Sequence, residues 1–234
     1  MSLEKVIIPT EKELIIRQLE SRIVSGELAV GLRLPTEREL AEQLGVKKTV
    51  LHFALKELEQ LKFIRCVPRH GTYVNDWMNA GNFETLNAVL RLQGVNVDPV
   101  LKDSLIRMRN LIESDAMELC SSVCTQEDFD ELQAAIDDLA AVPDEAGSAA
   151  QAEKVMYFHL LIVRKSGNRM YPILMNAFRD FSLIIWMQCV DFWSKAKIVE
   201  FEQLQLNLIR TGKGAEAGAH ICRMYEEVLK SRNS

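Results

Sequence analysis

Apolar residues recur at helical spacing along almost the whole chain, interrupted once by a short alternating stretch. Leu14, Ile15, Leu19 and Ile23 mark one face of a helix over 10–25, and Thr10 with Glu13 has the spacing of a capping box. Ser25 and Gly26 end that helix, and 28–35 reads as a loop punctuated by Gly31 and Pro35. Thr36 and Glu39 repeat the capping-box spacing and open a short helix through Leu40, Ala41 and Leu44, which Gly45 stops. A third helix is predicted over 47–61, with Leu51, Ala54, Leu55 and Leu58 on one face. Residues 63–67, 68–71 and 72–74 then read as strand, turn and strand. Helix, short helix, helix and hairpin is the order of a winged helix-turn-helix.

From residue 82 onward the pattern is helical throughout. Segments are predicted over 82–92, 98–122, 125–141, 150–166, 171–193, 196–211 and 215–231. Residues 143–147 form a loop, and Gly167 and Gly212 mark helix-stopping turns. The predicted fold is mainly α: an N-terminal winged helix-turn-helix domain over 1–75, a linker over 76–81, and an all-α antiparallel bundle over 82–234.

Composition narrows the classes. Apolar residues make up 48% and charged residues 26% of the 234, which excludes intrinsic disorder as the main state. The richest apolar segment, 181–193, is shorter than the ~20 residues of a membrane span and holds Gln188 and Asp191. The first ten residues lack a signal-peptide core, and five cysteines without a C-x-x-C pair read as reduced thiols of a cytoplasmic protein. Cys120 and Cys124, one turn apart, read as small buried hydrophobes rather than metal ligands. Charge is uneven: 1–75 carries 12 Lys+Arg against 10 Asp+Glu, and the rest carries 16 against 23. The N-terminal part is thus the one suited to a polyanion.

The third helix has a polar face that fits DNA. Lys48 and His52 project from one side, and Lys47 and Thr49 flank the N-terminus that this motif inserts into the major groove. Lys binds phosphate or guanine, and Thr donates to phosphate. Arg69, His70 and Gly71 form the wing tip, and Arg38 lies on the short second helix. The competing reading is a solvated basic face on an ordinary helix.

The stretch from Gly31 through Leu34-Pro35-Thr36-Glu37-Arg38-Glu39-Leu40-Ala41 to Leu44-Gly45-Val46 resembles the GntR family of bacterial transcription regulators, whose signature is L-P-[ST]-E-R-E-L-A-x-x-L-G-V. The wing His70-Gly71-Thr72-Tyr73-Val74 is similar to that family's H/G-x-G-T-x-V. Where family members typically place two further DNA-contacting arginines, this chain has Lys48 and His52, while Arg38 is kept. Three places are similar to its FadR subfamily: Asn75-Asp76-Trp77 through Leu92, which looks like the linker and first bundle helix of the fatty-acid-responsive members, Arg109 to Glu113, and Phe158-His159 with Ser166-Gly167-Asn168. The resemblance implies a homodimer on a double-stranded DNA operator, usually as a repressor, with an effector in the bundle.

Many subfamily members bind a divalent metal through one Asp and three His. Here Val155 stands four residues before His159, the second His position falls near Glu202 and the third near Met224. No metal and no cofactor is expected, although His159, Glu202 and His220 are an alternative three-ligand set for a metal-dependent sensor of a small organic acid. Phe178, Phe181, Leu183, Ile184, Ile185, Trp186, Met187, Phe192 and Trp193 load one apolar helix, which core and dimer packing explains and a long apolar ligand would also suit. The expected effector is a fatty acyl-CoA or another apolar carboxylate. Arg109 and Arg179 are the candidate cations for it, with Tyr157, His159 and Trp186 beside them; an ion pair of Arg109 with Glu113 is the competing reading.

An enzyme is not expected, since no P-loop, dinucleotide, H-E-x-x-H or G-x-S-x-G motif occurs and the four His are dispersed. A membrane partner is not expected either. A binding module that has lost operator reading is the third class, motivated by Lys48 and His52. Histidine carries charge only when protonated. DNA affinity measured by fluorescence anisotropy should therefore fall from pH 6 to pH 8 in the wild type and stay level in His52→Arg; identical profiles would remove His52 from the interface.

Overall fold

A computed structural model of the chain describes residues 8–94 and 96–231, with side chains up to 227. It divides into two compact units, the first ending at Gly94 and the second starting at Val95.

In the first unit α1 (Glu11–Val24) starts at the Thr10–Glu13 capping box, and α2 (Glu37–Leu44) at the Thr36–Glu39 box. Each box satisfies end groups that a helix leaves open: the threonine Oγ1 accepts from the third residue's N–H, and the glutamate accepts from the cap N–H. Gly45 ends α2 at φ 67°, in the left-handed region that disfavours a side chain, and its N–H bonds back to Ala41 and Glu42. This tight stop lets α3 (Lys48–Gln60) begin at once. Strands β1 (Ile64–Val67) and β2 (Gly71–Val74) pair antiparallel, Ile64 opposite Val74 and Val67 opposite Gly71. Ile15, Ile16, Leu19 and Ile23 of α1 are buried, as are Leu51, Ala54, Leu55 and Leu58 of α3 and the wing residues Ile64 and Val74. Leu14, expected on the inner face, points to solvent, and Ile16 takes its place.

A single turn, α4 (Trp77–Ala80), and then α5 (Phe83–Gln93) follow the wing. Helix α5 packs on α1 within the first unit, whereas the sequence pattern grouped 82–92 with the bundle. Its buried residues Thr85, Ala88, Val89 and Leu90 supply the contact.

The second unit is helical throughout its described residues. Its longest helix, α6 (Pro99–Val123), is followed by α7 (Gln126–Ala140), a 3-10 turn at Asp144–Ala146, and α8 (Gly147–Lys165). Helices α9 (Met170–Ala177), α10 (Arg179–Trp193), α11 (Lys195–Arg210) and α12 (Gly214–Ser231) complete it. The predicted helix over 171–193 is broken at Phe178, where the axis bends by 73°. The buried Phe178 ring anchors the bend, and α10 turns Phe181, Ile185, Trp186 and Cys189 into the core. No single described helix is long and apolar enough to cross a membrane. Cys120 is fully buried and donates its thiol to the Ile162 carbonyl at 3.1 Å, whereas Cys124 is half-buried at the end of α6.

Helices α6 and α12 approach closely because α12 carries glycines at the contact. A Cβ on Gly218 would lie 2.8 Å from the Ser114 Cα, and one on Gly214 would lie 2.3 Å from the Met117 carbonyl oxygen. Backbone cannot yield as a side-chain tip can, so Gly218→Ala should destabilise the protein by about 1–3 kcal/mol in urea unfolding. A change within ~0.5 kcal/mol, the range of surface substitutions, would show the approach to be loose.

Candidate functional site

Two places gather the candidate residues: the exposed end of α3 with the wing, and the middle of the helical bundle.

At α3 the N-cap residue is Lys47, and no side chain caps the helix. The open N–H groups and the positive end of the helix dipole therefore meet solvent together with Lys47, Lys48 and Thr49, all exposed. Among the described residues neither lysine forms an ion pair, so both ammonium groups are available to phosphate. His52 is exposed on the same side, with its Nδ1 3.1 Å from Glu37 Oε1. Arg38 points outward with its Nε 3.0 Å from Glu42 Oε1, a fully solvated pair worth little and easily exchanged for DNA. Arg69 forms the wing turn at φ 70° beside His70, and Tyr73 Oη donates to the His70 carbonyl at 3.2 Å.

Two residues were not singled out by the pattern. Phe53 lies on α3 next to His52 with 63% of its surface exposed, an apolar group suited to a thymine methyl. Its place outside the Leu51, Ala54, Leu55, Leu58 face was the available signal. Arg33 pairs its backbone with Tyr73, and its guanidinium lies over Gly71, where a Cβ would meet Nε at 3.0 Å. This contact requires tertiary proximity, which sequence spacing does not show.

In the bundle, five helices send polar side chains to one buried point. Arg109 and Glu113 of α6 form an ion pair one turn apart, which bears out the internal pairing weighed from the sequence. His159 of α8 places Nδ1 3.7 Å from Glu113 Oε1 and Nε2 2.9 Å from Glu202 Oε1 of α11. Its ring stacks on Trp186 of α10 at 4.6 Å, and Trp186 packs on Tyr225 of α12 at 5.5 Å. Tyr225 donates to Glu113 Oε2 at 3.5 Å. Glu202 and Gln205 lie one turn apart on the buried face of α11. Glu202 and Tyr225 complete the cluster although no motif marks them as a set.

Tyr157 and Arg179 lie elsewhere. Arg179 donates twice to Glu153, at 2.7 and 2.8 Å, on the surface. With Tyr157, Met156 and Met175 it lines a small groove of about 120 Å³ among α8, α9 and α10. The five candidate effector residues thus divide three and two between core and groove.

Burial decides protonation in the cluster. Loss of solvent lowers His159 to about 4, helped by Arg109 and opposed by Glu113. The same loss holds the Glu202 carboxyl well above the ordinary carboxylate range, so it stays protonated. The His159–Glu202 pair is therefore neutral, beside one compensated ion pair.

These residues do not fit a metal. His159's two ring nitrogens face Glu113 and Glu202 on opposite sides, so the three groups cannot converge on one ion. Val155 is buried and apolar, and the His220 ring stacks on Phe201 at 4.5 Å. Among the described residues no group of three or more His, Cys, Asp or Glu is arranged to hold a metal ion, which corrects the alternative set of His159, Glu202 and His220.

Residues 8–74 match the family described as bacterial regulatory proteins, gntR family, and 104–227 match the FCD domain. The chain is 32% identical to the HTH-type transcriptional regulator YcbG of Bacillus subtilis over 67% of its own length and 64% of that protein's. It is 24% identical to the HTH-type transcriptional regulator LutR of the same organism, over 84% of this chain and 90% of that one. The structure of Lar, described as controlling expression of the Listeria monocytogenes agr system, aligns with a TM-score of 0.53 at 16% identity, over 95% of this chain and 96% of that one, and shows the shared fold.

The unfolded imidazole of His159 gains its proton near the ordinary 6.5 and the folded one only near 4, so acid favours unfolding between those values. That window should remove about 3 kcal/mol of stability, read as a falling Tm. Glu202 acts oppositely: above the ordinary carboxylate range the unfolded chain releases a proton that the folded one keeps. Glu202→Gln should thus raise Tm at pH 8 relative to wild type; a lower Tm there would mean that Glu202 is ionised in the core.

Proposed function

Because the chain belongs to the GntR family, with an FCD domain behind its winged helix, we propose that it is a cytoplasmic homodimeric repressor that releases a double-stranded DNA operator when an effector occupies the bundle. In this reading residues 1–75 read DNA, 76–81 link, and the bundle within 82–234, from α6 onward because α5 packs on α1, binds the effector and dimerises. Its domains are those of transcriptional regulators, not of enzymes.

The observation that carries the reading is the uncapped, lysine-flanked N-terminus of α3 beside a basic wing. Lys47, Lys48, Thr49, Arg69 and the backbone around Gly71 hold phosphates, and Arg38, His52 and His70 reach base edges or the backbone. Phosphate contacts position the protein, and a dimer doubles them on a pseudo-palindromic site. The effector is an anionic molecule with an apolar part, either a fatty acyl-CoA, whose charge is on its phosphates, or an apolar carboxylate. Arg109, His159 and Trp186 are its core contacts, and Tyr157 with Arg179 offer a separate surface groove. Effector occupancy shifts the population between dimers that bind DNA and dimers that do not.

Neutralised phosphates release counterions, which makes such binding salt-dependent. With Lys47, Lys48 and Arg69 from each protomer, affinity for a 30-bp duplex should fall by about 10³-fold between 50 and 200 mM salt in fluorescence anisotropy. Lys48→Ala should flatten the salt slope by about 2, one phosphate per protomer. A slope near zero would contradict operator binding. Absent wild-type binding restored by Lys48→Arg with His52→Arg would instead support a module that has lost operator reading.

A further inference from the structure

We propose that the cleft between α1 and α5 is a site for a phosphate-type dianion, held by Arg17 and Arg91 with Glu20 as its proton-bearing donor. It lies within the first unit, so it is not part of the polar cluster in the bundle. Arg17 and Glu20 of α1 and Ala88, Arg91 and Leu92 of α5 line a cavity of about 290 Å³, roomy enough for a tetrahedral oxyanion.

Three charge-bearing groups meet in this cavity, and none is satisfied. Among the described residues neither guanidinium forms a hydrogen bond or an ion pair. Glu20 is buried on the inner face of α1 with Ile16, Leu19 and Ile23, and it too lacks a hydrogen bond or an ion pair there. Glutamate is almost never buried this far unless it is paired. An apolar residue at position 20 would serve the packing better, because a carboxyl taken from water without a partner costs stability. A shifted, buried acid in a cleft is the mark of a working site rather than of a packing position.

The charges select the ligand. Two guanidinium forks offer paired N–H groups and two positive charges. A monocarboxylate answers one of them, whereas a phosphate or sulfate group answers both and has oxygens enough for both forks. An ionised Glu20 repels such a guest and competes for the same guanidiniums; a protonated Glu20 donates its O–H to it. Arg17 on the same helix and Arg91 on α5 favour the carboxylate form, and Glu57 on α3, itself paired with Lys12, opposes it. Burial outweighs both arginines and lifts the carboxyl to about 7, so its charge changes in the neutral range. Binding of the dianion is therefore coupled to uptake of one proton. Two sources carry the group, free phosphorylated molecules and the DNA backbone.

The test uses the full-length protein and sodium sulfate, which keeps both charges from pH 6 to pH 8, titrated by calorimetry at matched ionic strength. Sulfate at the lysines of α3 gives the same heat in every variant, so the difference between wild type and Arg17→Gln with Arg91→Gln isolates the cleft. Both arginines are exposed, and their replacement leaves the core untouched. Wild type should bind about tenfold more tightly at pH 6 than at pH 8, the ratio of protonated Glu20 at those values. The arginine variant should lose at least about tenfold in affinity at pH 6. Glu20→Gln, a neutral donor, should bind as tightly at pH 8 as at pH 6. Two further arms identify the source. Inorganic phosphate or pyrophosphate binding in the cleft, with duplex affinity unchanged in the arginine variant, assigns it to a free phosphorylated molecule. A salt slope for a 30-bp duplex that flattens by about 4 in that variant, two phosphates per protomer, assigns it to the DNA backbone. Equal sulfate heats in wild type and the arginine variant would overturn the site. A pH dependence that survives Glu20→Gln would overturn the role of Glu20.

Discussion

A guanidinium buried in a helical bundle must be answered, because removing a charge from water costs several kcal/mol and Arg109 cannot shed its proton. Glu113, one turn along α6, answers the charge but not the fork: two of the three guanidinium nitrogens stay without a partner. The rest of the bundle is arranged around this incomplete answer. His159 and Tyr225 reach the same carboxylate, Glu202 stays protonated against His159, and Trp186 closes the stack. Pair, stack and protonation state depend on one another, so the cluster holds its form as a unit rather than as separate contacts.

The winged helix meets the opposite requirement, keeping charge in water. Its helices are fixed at their other ends by two capping boxes, by the left-handed Gly45 and by the Arg33–Tyr73 bridge, which leaves α3 free to present an uncapped N-terminus. A serine or aspartate at position 47 would have capped that helix. Lys47 leaves the N–H groups open and adds a positive charge, a choice that suits phosphate better than helix stability.

Local chemistry was legible in the sequence wherever a short stretch fixes its own structure. The capping boxes, the glycine stop, the hairpin and most helix bounds follow from neighbours within a few residues. What was not legible depends on distant partners. Leu14 and Ile16 both continue an apolar face, and only packing chose Ile16. The bend at Phe178 has no glycine or proline to announce it and arises because both halves cover one core. Helix α5 looked like the first bundle helix and packs on α1 instead. For the core, Arg109, His159 and Trp186 stood out as odd residues on apolar helices, but Tyr157 is two positions from His159 and so points away. Glu202 was visible only as a candidate metal ligand and Tyr225 not at all, and both become hydrogen-bond partners only when α11 and α12 close over α6.

The most direct test of the central claim is a high-resolution crystal structure of the protein purified from cells without added ligand or metal. The account predicts density for the effector's anionic group within hydrogen-bond distance of Arg109 Nε and Nη1, and no ion on His159. A metal coordinated by His159, or Arg109 contacted by water alone, would contradict it.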